Sequence, residues 1–158
     1  MYMLIIIIVI AVLVVLLIAA GFFFAGRIMA IKPCSLEEAR AWEEQHCDLS
    51  WYDSMEKKDY TVKSYDGYVL HAQFLKNPGD TNRFVIISHG NTGNRFGSLK
   101  YASMYLEMGF NVIVYDLRGH GLDEPTFCTY TLRERKDLLA MILDSRERYP
   151  HASLFGIH

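Results

Sequence analysis

The 158-residue sequence predicts an α/β domain that opens with an antiparallel hairpin, continues as parallel strands wound with helices, and follows one transmembrane helix. Three observations carry this. Residues 1–26 hold no charged side chain. "YTVKSY" and "YVLHAQFL" alternate apolar and polar residues on either side of Asp66-Gly67. "FVIIS" (Phe84–Ser88) and "NVIVYD" (Asn111–Asp116) are continuously apolar and β-branched, as strands buried on both faces are, and a helical pattern follows each.

The N-terminal run "LIIIIVIAVLVVLLIAAGFFFAG" sets the first element. About 25 helical residues span roughly 37 Å, more than the ~30 Å hydrocarbon core. No Lys or Arg precedes the run and it is too long for a signal-peptide core, so residues 1–26 are expected to be an uncleaved single-pass anchor with the lipid bilayer as partner. A cleaved signal or a buried core helix are the alternatives. Arg27, Lys32 and Arg40 follow the run, and the positive-inside tendency favours a cytoplasmic domain. Cys34, Cys47 and Cys128 are an odd set without CxxC, so free thiols are expected; a Cys34–Cys47 bridge is conceivable if the domain is exported. A net charge of −2 with no basic run argues against nucleic acid as a partner.

Residues 27–59 read as a juxtamembrane helical connector. Pro33 ends any helix that reaches it, and Ser35 with Glu38 forms a capping-box pattern before a short amphipathic helix on Leu36, Ala39 and Trp42. Packing on the following domain is favoured over a lipid-reading role. Residues 60–158 form the main domain. Asp66-Gly67 predicts a two-residue hairpin turn, and "NPGDTN" a loop. "FGSLKYASMYLEMG" predicts a helix with Leu99, Met104, Leu106 and Met108 inward and Gly109 ending it. "TLRERKDLLAMILDSRERY" predicts another, capped by Thr131 and Glu134, with Leu138, Leu139, Ile142 and Leu143 inward. "ASLFGIH" reads as a buried strand reaching its carboxyl end.

Ligands of a wound sheet sit beyond the carboxyl ends of its strands. After the first buried strand comes "SHGNTGNR". Gly90 and Gly93 let the backbone turn and present N–H groups beside a helix start, which suits an oxyanion. The Asn91 N–H is the expected donor, with Gly90 and Thr92 shaping the loop. After the next strand comes "YDLRGHG". Asp116 and Arg118 are expected to hold this loop by charge-assisted hydrogen bonds while Gly119 and Gly121 make its turns; a catalytic role for Asp116, Arg118 and His120 is the alternative. His89 and His120 lack any carboxylate at metal-ligand spacing, so no metal site is expected.

The run hairpin, strand, "HGN", helix, strand, "YDLRGHG", helix, "FGIH" resembles the N-terminal half of the α/β-hydrolase superfamily, in particular bacterial serine hydrolases grouped with serine aminopeptidases and monoacylglycerol-lipase-like enzymes. Some of these carry one N-terminal membrane anchor. The resemblance covers Tyr60–His158. It implies ester, amide or thioester hydrolysis of a small-molecule or lipid-like acyl substrate by a Ser-His-Asp triad, with no metal or organic cofactor. In that family the strand matching "SLFGIH" runs into the G-x-S-x-G nucleophile elbow, and the acid and histidine come later. None of these is present, so no catalytic residue is assigned, residues 60–158 read as a truncated hydrolase domain, and the polypeptide as it stands is expected to be inactive. Two other readings remain at this point. "GNTGNRFG" with Asp116 about 20 residues on faintly echoes a Rossmann-like nucleotide-binding module, although G-x-G-x-x-G is absent. A non-catalytic membrane-tethered fragment is the other.

Overall fold

The computed structural model describes residues 2–30 and 32–158; Met1, in the expected anchor, and Ile31, in the expected connector, lie outside the described residues. Helix α1, Tyr2–Met29, has 28 residues, none buried, and a mean hydropathy of 3.7 over its most apolar window. At 1.5 Å per residue it is about 42 Å long, so it is long and apolar enough to cross a membrane. It runs past Gly26 because nothing in Arg27-Ile28-Met29 breaks a helix, and the Ala30 N–H still reaches the Gly26 carbonyl.

Helix α2, Leu36–His46, starts at the capping box: Ser35 Oγ accepts from the Glu38 N–H and the Glu38 carboxylate accepts from the Ser35 N–H. A short helix α3, Ser50–Ser54, was not foreseen; Asp48 accepts from the Ser50 N–H at its start. Its Tyr52 is buried and donates to Gln73 Oε1 at 2.8 Å, which ties the connector to the sheet.

The sheet has the order β1-β2-β4-β3-β5, with β1 Lys57–Lys63, β2 Val69–Leu75, β3 Arg83–Ser88, β4 Asn111–Tyr115 and β5 Leu154–Ile157. β2 is antiparallel to β1 and β4, while β3 is parallel to β4 and β5. A 3₁₀ turn (Arg95–Ser98) and helix α4 (Leu99–Glu107) join β3 to β4, and helix α5 (Glu134–Arg148) precedes β5. The pleat sorts β3 to two sides: Val85 and Ile87 pack with Val112, Val114, Leu99 and Ala102, whereas Phe84 and Ile86 pack with Ile113, Tyr115 and Met141. Helices therefore cover both faces.

Four local expectations are corrected. The hairpin turn is longer than two residues: Ser64 and Tyr68 close it, Gly67 donates to the Ser64 carbonyl, and Gly67 takes φ +83°. That is a turn with a left-handed glycine bulge, and it frees the Asp66 side chain to reach Arg118. Met104 on α4, Met108 at its C-cap, and Leu139 and Leu143 on α5 are exposed. α5 instead turns Asp137, Met141 and Ser145 inward, because Arg118 draws the Asp137 carboxylate into the interior. Thr131 does not cap α5 through its side chain; its N–H bonds to Glu134, which also accepts from Thr129. β5 is not fully buried, since among the described residues it pairs with β3 alone and leaves Leu154 and Ile157 exposed at the sheet edge.

Candidate active site

β3 and β4 end side by side at Ser88 and Tyr115, and the two loops that leave them are locked together by His89. Its Nδ1–H donates to the Gly90 carbonyl at 2.7 Å and its Nε2 accepts the Leu117 N–H at 2.8 Å. Only the neutral Nδ1–H tautomer satisfies both partners. Burial pushes its pKa down to about 4, against the Gly90 hydrogen bond. With both nitrogens engaged, His89 has no lone pair free for a metal. His120 lies with its ring centroid 5.1 Å from that of His89; its Nδ1–H donates to the Arg118 carbonyl, and its buried Nε2 has no partner among the described residues.

Gly90–Gly93 is a tight turn closed by the Gly93 N–H on the Gly90 carbonyl at 3.2 Å. Asn91 and Thr92 are exposed at its tip, and among the described residues their N–H groups donate to no protein acceptor. Thr92 has φ +63°, a region β-branched residues rarely enter. The connector holds it there. The Cys34 N–H donates to the Thr92 carbonyl at 3.0 Å, and Asn94 Nδ2 donates to the carbonyls of Cys34 and Ser35 at 3.1 Å each. Cys34, Cys47 and Cys128 are all free thiols.

The second loop is built on buried charge. Asp116 accepts the N–H of Arg95 at 2.9 Å and of Leu122 at 3.2 Å; burial raises its pKa, opposed by those bonds and by the Arg95 guanidinium. Gly121 has φ +57°, and a Cβ there would lie 2.2–2.4 Å from the Asp116 carboxylate, so no other residue fits. At Gly119 a Cβ would lie 2.8 Å from the Thr126 carbonyl. Arg118 donates to Asp137 through Nε (2.9 Å) and Nη2 (2.7 Å) and to Asp66 through Nη1 (2.8 Å) and Nη2 (3.1 Å). Its guanidinium lies 4.3 Å from the Tyr68 ring centroid, and Tyr68 Oη accepts the Gly119 N–H.

Asn91, Leu117, His120, Cys128, Tyr130 and Glu134 line a cavity of about 200 Å³ between the two loops. Larger hollows elsewhere, about 670 and 440 Å³, contain neither Asn91 nor His120. β5 ends at the same rim: the His158 N–H bonds to the Ile86 carbonyl and the His158 carbonyl accepts the Ser88 N–H at 3.0 Å. The His158 ring rests on Tyr101, 4.6 Å between centroids, with Tyr105 Oη 3.2 Å from its Nδ1.

No family model matches the chain. Its sequence is 33% identical over 137 residues to the uncharacterized protein YqkD of Bacillus subtilis strain 168, covering 85% of this chain and 45% of YqkD. The esterase Pf2001 of Pyrococcus furiosus superposes with a TM-score of 0.62 at 27% identity, covering 70% of this chain and 44% of the esterase. The fold is that of an α/β-hydrolase.

Two further α/β-hydrolase structures share it: XC6422 of Xanthomonas campestris, a serine hydrolase without a lid (TM-score 0.54, 20% identity, 65% of this chain and 50% of that one), and a thermostable carboxyl esterase of Bacillus coagulans (TM-score 0.54, 18% identity, 65% and 36%). The chain thus spans somewhat less than half the length of YqkD and Pf2001. Within this α/β-hydrolase sheet the structure brings Gly90, Asn91, Thr92, His120 and His158 to one rim, and places Asp116, Arg118, Gly119 and Gly121 in the loop that backs them. Sequence reasoning missed His89 as the link between the loops, and Asn94 and Cys34 as the clamp on Thr92. A histidine directly after a buried strand is a signal for the first; the second spans some 60 residues of chain and leaves no local signal.

Proposed function

We propose that this chain supplies the oxyanion side of a membrane-anchored serine hydrolase that cleaves an ester, amide or thioester of a small or lipid-like substrate. One observation carries the reading: the exposed N–H groups of Asn91 and Thr92, unpaired among the described residues, stand at the rim where β5 also ends. The resemblance assigns the turn after that strand to a nucleophilic serine, and donors facing it would stabilise the charge that develops on the acyl oxygen. The Asn91 N–H is the principal donor; Gly90 and Thr92 set its direction. α1 is the anchor, embedded in the bilayer.

These residues hold no G-x-S-x-G, so a polypeptide of the 158 residues alone takes no fluorophosphonate label at serine. The positive test joins residues 27–158 to the C-terminal half of the Pf2001 esterase. The folded chimera hydrolyses an activated ester, and Asn91→Pro, which deletes the N–H, lowers kcat by about 10²–10³-fold. Equal turnover by the two folded chimeras would remove Asn91 from the mechanism.

A further inference from the structure

The loop that walls the Asn91–His120 cavity is also bonded to the end of α1. The Cys128 N–H donates to the Met29 carbonyl at 3.0 Å and Tyr130 Oη donates to the Ile28 carbonyl at 3.2 Å. Those two carbonyls belong to the last turn of α1, which the structure would otherwise leave open to water. Around these bonds the loop turns four large apolar side chains outward: Leu122 (53% exposed), Phe127 (56%), Tyr130 (48%) and Leu132 (66%). Scattered exposed apolar residues need no explanation, but four within eleven residues, in a loop hydrogen-bonded to the end of a helix uncharged from Tyr2 to Gly26, are a local concentration. Arg27, in the same last turn of α1, marks the level at which a spanning helix meets the headgroups. An aromatic hydroxyl beside an apolar ring, as at Tyr130, suits that level too.

We propose that the loop Leu122–Leu132 sits in the interfacial layer of the bilayer that holds α1, so that the Asn91–His120 cavity opens at the lipid surface. The partner is the lipid surface itself. Resting on the hydrolase reading above, the placement makes the substrate an amphiphile taken from that surface, its acyl group entering beside Tyr130.

The test uses the full chain, with Trp42→Phe and Trp51→Phe to clear the native signal, in phosphatidylcholine vesicles brominated at shallow acyl carbons. Phe127→Trp and, separately, Leu132→Trp report on the loop, Phe23→Trp on α1, and Leu154→Trp on the amino end of β5, opposite the site. Apolar groups of an interfacial segment reach about 5–10 Å into the headgroup and acyl boundary, so both loop reporters and the α1 reporter lose emission by about twofold or more, while the β5 reporter does not. Loop reporters as unquenched as the β5 reporter, with α1 quenched, would overturn the loop placement and leave the anchor standing. An unquenched α1 would overturn both. The ester-hydrolysis chimera is read separately, so neither result is confused with a failure of the hydrolase assignment.

Discussion

Replacing Arg118 with Met would leave the Asp137 carboxylate, wholly buried, with Ser64 Oγ as its remaining side-chain partner among the described residues. Removing one member of a buried ion pair costs about 3–5 kcal/mol, because the other charge is stranded. The Asp66 arm is a third exposed and adds at most about 1 kcal/mol. The lost stacking on Tyr68 adds another ~0.5–1 kcal/mol. The expected total, about 3.5–7 kcal/mol, is a large part of the 5–15 kcal/mol that holds a domain folded. The assay is urea unfolding of the full chain in detergent micelles, followed by the fluorescence of Trp51, which packs against the α4-side core. The companion variants are Asp137→Asn and the double substitution. With no charge left to strand, the double variant should lose about 2–3 kcal/mol less than the sum of the two single losses. A loss below about 1 kcal/mol for Arg118→Met, or strict additivity of the pair, would refute the claim that buried charge holds this loop.

Gly121→Ala forces a Cβ into the Asp116 carboxylate at φ +57° and displaces the acceptor of the Arg95 and Leu122 N–H groups. It should cost at least about 3 kcal/mol in the same urea assay, whereas Gly97→Ala, which meets nothing within 4 Å, should be nearly neutral. His89 titrates at about 4 in the folded chain against about 6.5 unfolded. Its contribution is therefore complete above pH ~6.5 and is lost as pH falls toward 4, since only the unfolded state takes up the proton. The stability difference between the parent chain and His89→Asn should shrink by about 3 kcal/mol between pH 7 and pH 4. Burial raises the Asp123 carboxyl against the pull of His71, which tilts the parent's own curve the opposite way. The comparison with His89→Asn cancels that slope, and a constant difference across the range would show that His89 is not held neutral.

The sheet was legible because its information is local. "FVIIS" and "NVIVYD" can only be strands buried on both sides, and Gly109 and Gly67 end their elements with the positive φ that glycine tolerates. The inward faces of the helices were half legible. Counting apolar residues put Leu139 and Leu143 inside, yet the position on α5 facing Arg118 is an aspartate, and a buried charge pair decided the rotation of the helix. The hairpin turn failed for a related reason: Asp66-Gly67 suits a two-residue turn, but Asp66 bonds the Tyr68 N–H and Arg118 instead. Of the candidate site, the strand-end turns were visible and their ties were not. His89 to Leu117, Cys34 to Thr92 and Cys128 to Met29 join segments far apart in the chain, and no periodicity encodes them.

The Thr92 tie decides how the turn that presents Asn91 keeps its shape. A β-branched residue held in the left-handed region costs about 1–3 kcal/mol. The connector returns three hydrogen bonds to the turn, from the Cys34 N–H and to the Cys34 and Ser35 carbonyls. At about 0.5–1.5 kcal/mol each they sum to about 1.5–4.5 kcal/mol, enough to offset the strain. The Gly90 carbonyl accepts from the Gly93 N–H at 3.2 Å and from His89 Nδ1–H at 2.7 Å, so those bonds hold the entry of the turn while the connector holds Thr92. The direction of the Asn91 N–H is therefore set in part by Cys34 and Ser35, residues well before Tyr60 that follow α1 in the chain. A displacement of Cys34 and Ser35 would therefore reach the proposed oxyanion donor through the hydrogen bonds to Thr92 and Asn94.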